Sequence, residues 1–375
     1  MKNYVKRIAA TAVMTAVCLG ATMHFGLPSV AYAVSEASDA PVMMTVNGVD
    51  VRKGEYTQFY SFVKTQMENM YGVGPYLWSM QPGSEQMLVG AVDQTCMVAR
   101  LAADKFNELG LRLGSDKAWE LKSLEHQLTE IARNQGIDLD GYLEKAFGLT
   151  QQEFRNMVAR DYYIEAIQDY YFGEGGEKAP AESEVRDMFN NDYYRVKHIL
   201  ITNTDENGEK LTGDALAAKQ QILQEVQDKL AAGEDFDALM KQYGEDPGME
   251  TYPDGYLMDS SGATLDGSYM VSEFTEGATA LAVGETSAKP VETDYGWHII
   301  TRVPATEEDY QEARLSVVQA MTGEDINSLL SAWIDEAEVT YPDGHEDLTI
   351  TDVLGEEAAA PSLDALMGGA SSEEE

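Results

Sequence analysis

"YRVKHILIT" at residues 194–202 and "GWHIITRV" at residues 296–303 decide the fold of this chain. Each is an apolar, β-branched run of strand length, and each carries a histidine near its middle. Two of the chain's five histidines, His198 and His298, therefore sit in matched strand contexts. The sequence between them reads as a long helix over about 214–231, a short helix over 236–243, a turn-rich loop over 244–272 and a helix near 273–281. Strands first and last, with helices between, predict an α+β arrangement around a small antiparallel sheet.

Outward from this segment the pattern changes. On the N-terminal side, "GEGGEKAPAES" (173–183) is a Gly/Pro/charged linker. Before it, "VMMTVNGVDVRKGEY" (42–56) reads as a hairpin turning at Asn47-Gly48, and residues from about 54 to 172 read as helices. One helix is expected over 84–109 and another over 115–135. A third starts at Thr150, where Thr150-x-x-Glu153 is a capping box, and continues to about Phe172. Tyr162, Tyr163, Tyr170 and Tyr171 recur at helical spacing and read as core and core edge. On the C-terminal side, residues 305–345 read as an amphipathic helix followed by a short strand, "AEVTY", with no local partner. Residues 346–375 are assigned to an acidic tail, small-residue-rich beyond 355 and expected to be disordered.

Length and charge narrow the classes. At 375 residues the chain exceeds one ordinary core, so at least two domains are expected. Lys2, Lys6 and Arg7, the apolar run "IAATAVMTAVCLG" and the small-residue site "AYA" at 31–33 make residues 1–33 a secretory signal peptide, cleaved after Ala33. Cys18 lacks the surroundings of a lipid-attachment site. Removing that segment takes away three basic groups and no acidic one, so the net charge of −39 becomes −42. Such a surface disfavours nucleic acid and anionic lipid as partners. No later stretch has the length of a membrane-spanning helix. Only Cys96 remains of the two cysteines, which rules out an intramolecular disulfide, and its context is that of a buried helix residue.

Three uses of the paired histidines stand open on residue chemistry. They are buried structural imidazoles, or two ligands of a metal site completed by a carboxylate, or neighbours that fix each other's tautomers in an uncharged pocket. The close His-x-Asp or His-x3-His spacing usual for a metal site is absent.

The motifs around them favour the third. "VKHILI" (196–201), "LAAGEDFDALMKQYGED" (230–246) and "YMVSEFTEGATALAVGETSAKPVETDYGWHIITRV" (269–303) resemble, in order, the parvulin peptidyl-prolyl cis-trans isomerases. Leu230-x-x-Gly233-x-Asp235-Phe236-x-x-Leu239 matches that family's helix-Gly-helix junction. Gly284-Glu285-x-Ser287 with Pro290-Val291 matches its "GE-x-S-x-PV" turn. Thr293, Gly296, His298 and Ile299 match its closing strand. The resemblance implies that His198, Asp246, Thr293 and His298 form the catalytic floor, with Met270 and Phe274 as the proline cup. Tyr295 and Trp297 are candidates for the rim or for ordinary sheet packing. It implies no cofactor, no metal and no covalent intermediate. The chain departs from the family at "YPDGYLM" (252–258), at Thr279, and in carrying about eight extra residues before Met270. "TNTDENGE" follows the first strand in place of a basic cluster, so a phosphorylated substrate is not expected.

The flanks are similar to exported foldases of the PrsA/SurA type, in which a parvulin domain is inserted in a mostly helical chaperone domain. On that likeness the organisation is a signal peptide over 1–33, a helical chaperone domain over 34–180, a parvulin domain over 190–304, a returning helix-strand over 305–345 and the tail over 346–375. The implied partners are unfolded or partly folded secreted proteins containing X-Pro bonds, and the implied location is extracellular or at the cell envelope. An isomerase acting on these clients and a holdase chaperone with an inactive parvulin fold both remain open on sequence.

Overall fold

The computed structural model describes residues 40–355 apart from 73, 75, 76 and 81. The signal peptide expected over 1–33 and the tail beyond 355 lie outside the described residues. Seven strands occur among them: β1 (Val42–Val46), β2 (Val49–Arg52), β3 (Tyr193–Thr202), β4 (Tyr256–Asp259), β5 (Val291–Glu292), β6 (Gly296–Val303) and β7 (Val339–Thr340). The chain forms two compact units, one running to Tyr170 and resuming at Ile326, the other spanning Tyr171–Asp325. No helix among the described residues is long and apolar enough to cross a membrane.

The first unit is built on the hairpin. Asn47 (φ 49°) and Gly48 (φ 78°) both adopt the positive φ that a tight two-residue turn needs. β1 pairs with β2 on one side and with β7 on the other, so a strand late in the chain closes a sheet begun near its start, Thr45 opposite Thr340. Helices Lys53–Tyr71, Ser84–Glu108 and Gln151–Val158 bury Phe59, Val92, Phe154 and Met157 in one core with Met44 and Val51. Cys96 is fully buried on the second of these helices. The Thr150–Glu153 capping box is formed. The single helix expected over 150–172 is instead two, Gln151–Val158 and Arg160–Phe172, with Ala159 between them.

Two expectations at the C-terminal end are corrected. Residues 346–354 are not tail. Thr349 caps a short helix, Ile350–Leu354, and Ile350, Val353 and Leu354 are buried in the first unit's core. Three apolar side chains at i, i+3 and i+4 suffice for one turn to dock, although acidic neighbours mask them in composition. The segment 305–345 also divides. Helix Glu307–Thr322 ends at Gly323, whose φ of 71° stops it, and lies in the second unit. Its Arg314 donates to Glu182 and to the Phe172 carbonyl, and its Asp309 accepts from Arg195. The return to the first unit begins only at Ile326, with helix Ile326–Glu336 and β7.

The second unit carries the four-stranded antiparallel sheet, in the order β4-β3-β6-β5. Because side chains alternate, the sheet has two distinct faces. Ile199, Ile201, Trp297 and Ile299 point to one face and pack against helices Gly213–Ala231 and Phe236–Tyr243 through Val226, Leu239 and Met240. Val196, Ile300 and Met258 point to the other and pack on helix Ser272–Thr279 through Phe274 and Ala278. The expected loop over 244–272 is not wholly irregular, since it holds a turn of helix, Gly248–Thr251, and strand β4. Gly255 makes β4 possible: its φ is 103°, and a Cβ there would lie 2.5 Å from the Val196 carbonyl oxygen.

Candidate active site

The register of β3 against β6 sets the histidines. Leu200 lies opposite His298 and His198 opposite Ile300, so the two imidazoles are diagonal neighbours on one face of the sheet. Their rings stack at 5.1 Å between centroids, and the two Nδ1 atoms are 2.9 Å apart. His198 Nε2 lies 2.7 Å from Asp246 Oδ2, and His298 Nε2 lies 2.8 Å from Thr293 Oγ1. Phe274 meets both rings edge-on, at 5.1 and 5.3 Å.

Asp246 is positioned by the corner that follows helix Phe236–Tyr243. The neighbouring Glu245 amide donates to the Leu200 carbonyl, and the Glu245 carboxylate accepts from Thr202 and Lys219. That corner fixes Asp246 beside β3. Burial would raise its pKa, but hydrogen bonds from His198, Tyr256 and the Gly248 amide outweigh burial and hold it at about 2. His298 is pushed down to about 4, first by burial and then by the neighbouring His198.

With Asp246 ionised, one proton assignment links these groups in a single series. The Tyr295 amide donates to Thr293 Oγ1, whose hydroxyl donates to His298 Nε2. His298 Nδ1–H then donates to His198 Nδ1, and His198 Nε2–H donates to Asp246. The chain of bonds runs one way, from sheet edge to carboxylate. Among the described residues no group of three or more His, Cys, Asp or Glu could hold a metal ion.

The cluster faces a cavity of about 930 Å³ within the second unit. His198, His298, Asp246, Met270 and Phe274 all line it. Thr293 does not; it is buried behind His298 and orients that ring. Tyr295 is at the rim, 61% exposed, whereas Trp297, one residue out of phase with His298, packs on the opposite face of the sheet. Thr279 donates to the Thr275 carbonyl and is not among the lining residues. Sequence reasoning missed Tyr256, whose hydroxyl donates to Asp246 at 2.8 Å and whose burial and hydrogen bond raise its own pKa. The available signal was the "PDG" turn followed by "YLM", a short apolar run.

Comparison with known proteins agrees with this geometry. The family described as Rotamase, PPIC-type PPIASE domain, matches residues 198–303. The chain is 22% identical over 306 residues to the foldase protein PrsA of Caldanaerobacter subterraneus subsp. tengcongensis, covering 80% of this chain and 86% of that one. It is 30% identical over 207 residues to the PrsA of a Geobacillus species, covering 52% of this chain and 65% of that one. It is 29% identical over 154 residues to the chaperone SurA of Pseudomonas fluorescens, covering 40% of this chain and 33% of that one. The chain thus carries a parvulin-type peptidyl-prolyl isomerase domain and is related to the PrsA and SurA proteins.

Proposed function

We propose that this chain, with its PPIC-type domain over residues 198–303, is an exported foldase that isomerises X-Pro peptide bonds in unfolded or partly folded secreted proteins. Rotation about a peptide bond meets a barrier of ~18–20 kcal/mol because it breaks amide resonance. No covalent step is needed to lower that barrier. It falls when the pocket binds the twisted amide better than either planar form and removes water from it.

Met270 and Phe274 form the cup that grips the proline ring. His198 and His298 form its floor, and Thr293 holds the His298 tautomer. Asp246 is ionised over the working pH range and acts through its field beside the rotating carbonyl. The carboxylates around the cavity oppose a phosphorylated substrate. The first unit holds unfolded client chain, and exposed apolar side chains such as Met70 (46%), Tyr71 (45%) and Trp119 (69%) suit that task.

The observation that carries this reading is the hydrogen-bonded His198–His298 pair opening onto an apolar cup. Magnetisation-transfer NMR on unphosphorylated X-Pro peptides tests it. The protein should accelerate exchange from the uncatalysed ~10–100 s timescale, and Asp246→Ala should lose most of the acceleration. No acceleration across a range of residues before proline would instead leave a holdase with an inactive parvulin fold.

A further inference from the structure

The cavity is larger than a proline ring requires. Its volume of about 930 Å³ is near the upper end of the ~300–1,000 Å³ typical of ligand pockets. The additional space is walled by the segment between β4 and Met270, where this chain carries its extra residues. That segment is a built hairpin. The Asp259 amide donates to the Ala263 carbonyl, the Thr264 amide to the Ser268 carbonyl, and the Met270 amide back to the Gly262 carbonyl. Gly262, at φ 89°, presses the hairpin onto helix Ser272–Thr279, where an added Cβ would lie 2.3 Å from Thr275 Oγ1. The hairpin is thus tied to the same helix that supplies Phe274.

The chemistry of this wall is one-sided. Asp254, Asp266 and Glu312 line the cavity as exposed carboxylates. Arg195 is the one lysine or arginine among the described residues lining it, and it is engaged by Asp309. Tyr252, Tyr269 and Tyr295 stand at the rim, 52%, 72% and 61% exposed. Aromatic faces beside carboxylates suit a long aliphatic stem ending in a cation.

We propose that the Asp259–Tyr269 hairpin, with Asp254 and Glu312, forms a second subsite of the rotamase pocket that takes a lysine or arginine side chain flanking the proline. The inference rests on the isomerase reading above and adds its specificity. Clients rich in basic residues around proline are selected by this wall, while Met270 and Phe274 grip any proline alike.

The test uses one X-Pro peptide core with lysine, alanine or glutamate placed in turn at each position within three residues of proline. Exchange rates and binding are read by NMR on the intact protein and on Asp254→Asn/Asp266→Asn/Glu312→Gln. The amide at Asp266 keeps an acceptor for the Ser268 N–H, so the turn is retained. At one position or more, lysine should exceed glutamate by about fivefold in kcat/KM, the scale of two exposed charge pairs. The preference should shrink in 0.5 M salt and vanish in the triple variant, with the alanine peptide unaffected. Equal rates for lysine and glutamate peptides, or a preference that survives in the triple variant, overturn the subsite. If no peptide is isomerised but lysine peptides shift the Asp266 and Tyr269 amides, the isomerase reading fails and the subsite stands as a binding site. If neither exchange nor shifts occur, both fail.

Discussion

The two units each hold an Asp–His–Tyr cluster, and the two clusters differ in access and in their neighbours. In the first unit His345 Nε2 lies 2.9 and 3.0 Å from the two carboxylate oxygens of Asp93, and Tyr56 donates to the same carboxylate at 2.9 Å. In the second, His198 and Tyr256 contact Asp246 at 2.7 and 2.8 Å. The histidines are equally hidden, His345 6% exposed and His198 4%. Yet His345 is enclosed between Tyr56 and Tyr341, with ring centroids at 5.6 and 4.6 Å, whereas His198 shares the wall of a cavity with Met270 and Phe274. The same three residue types make a structural tie in one place and line an open cavity in the other. Access, and the second histidine behind it, makes the difference.

The tie is the more costly cluster to break. Asp93→Ala deprives two buried donors of their acceptor and should destabilise the first unit by about 3 kcal/mol. Asp246→Ala, at a half-buried position, should cost much less stability while removing most of the exchange activity. Urea unfolding separates the two, because Trp297 is the one tryptophan of residues 171–325 and Trp78, Trp119 and Trp333 report on the other unit.

Acid should act next, and on the second unit. His298 binds its proton at about 4 when folded against 6.5 as the ordinary value. Above pH 6.5 both states are neutral and the full stability is present. As pH falls from 6.5 to 4 the unfolded chain takes up the proton first, and stability on the order of 2–3 kcal/mol is lost. Asp246, depressed to about 2, extends the loss in the same direction below pH 4. The Trp297-detected urea midpoint should therefore drop through this window, and His298→Asn should flatten the drop above pH 4.

A smaller effect sharpens the contrast between cup and core. Met270→Ala should lower kcat/KM by about tenfold with little change in Tm, since the side chain is only half-buried and, as proposed, grips the proline ring. Smallest of all are the tyrosine hydroxyls. Tyr56→Phe should cost about 1 kcal/mol through a buried hydrogen bond. Tyr256→Phe should cost less than that in stability and show itself instead as a modest loss of exchange rate.

What was legible in the sequence follows the same division. The histidine strands declare themselves through local runs of β-branched residues, and the Thr150 capping box through a four-residue pattern. Ordered motifs from Leu230 to Ile299 identify the pocket because its residues lie on short, recognisable elements. Tyr256 was hidden because β4 is four residues long and exists only where Gly255 lets it approach β3. The His345–Asp93 tie was hidden for a different reason. It joins residues 252 apart in the chain, and nothing local to either marks the other. The docking of Ile350, Val353 and Leu354 is likewise a tertiary fact inside a sequence whose composition reads as tail.

The central claim, that the cavity-facing histidine cluster is the site and the sealed one a strut, is tested most directly by histidine-selective ¹⁵N NMR during titration with an X-Pro peptide. The ring nitrogens of His198 and His298 should shift on binding while those of His345 stay fixed. Unmoved His198 and His298 signals at saturating peptide, or an equal response from His345, would contradict the account.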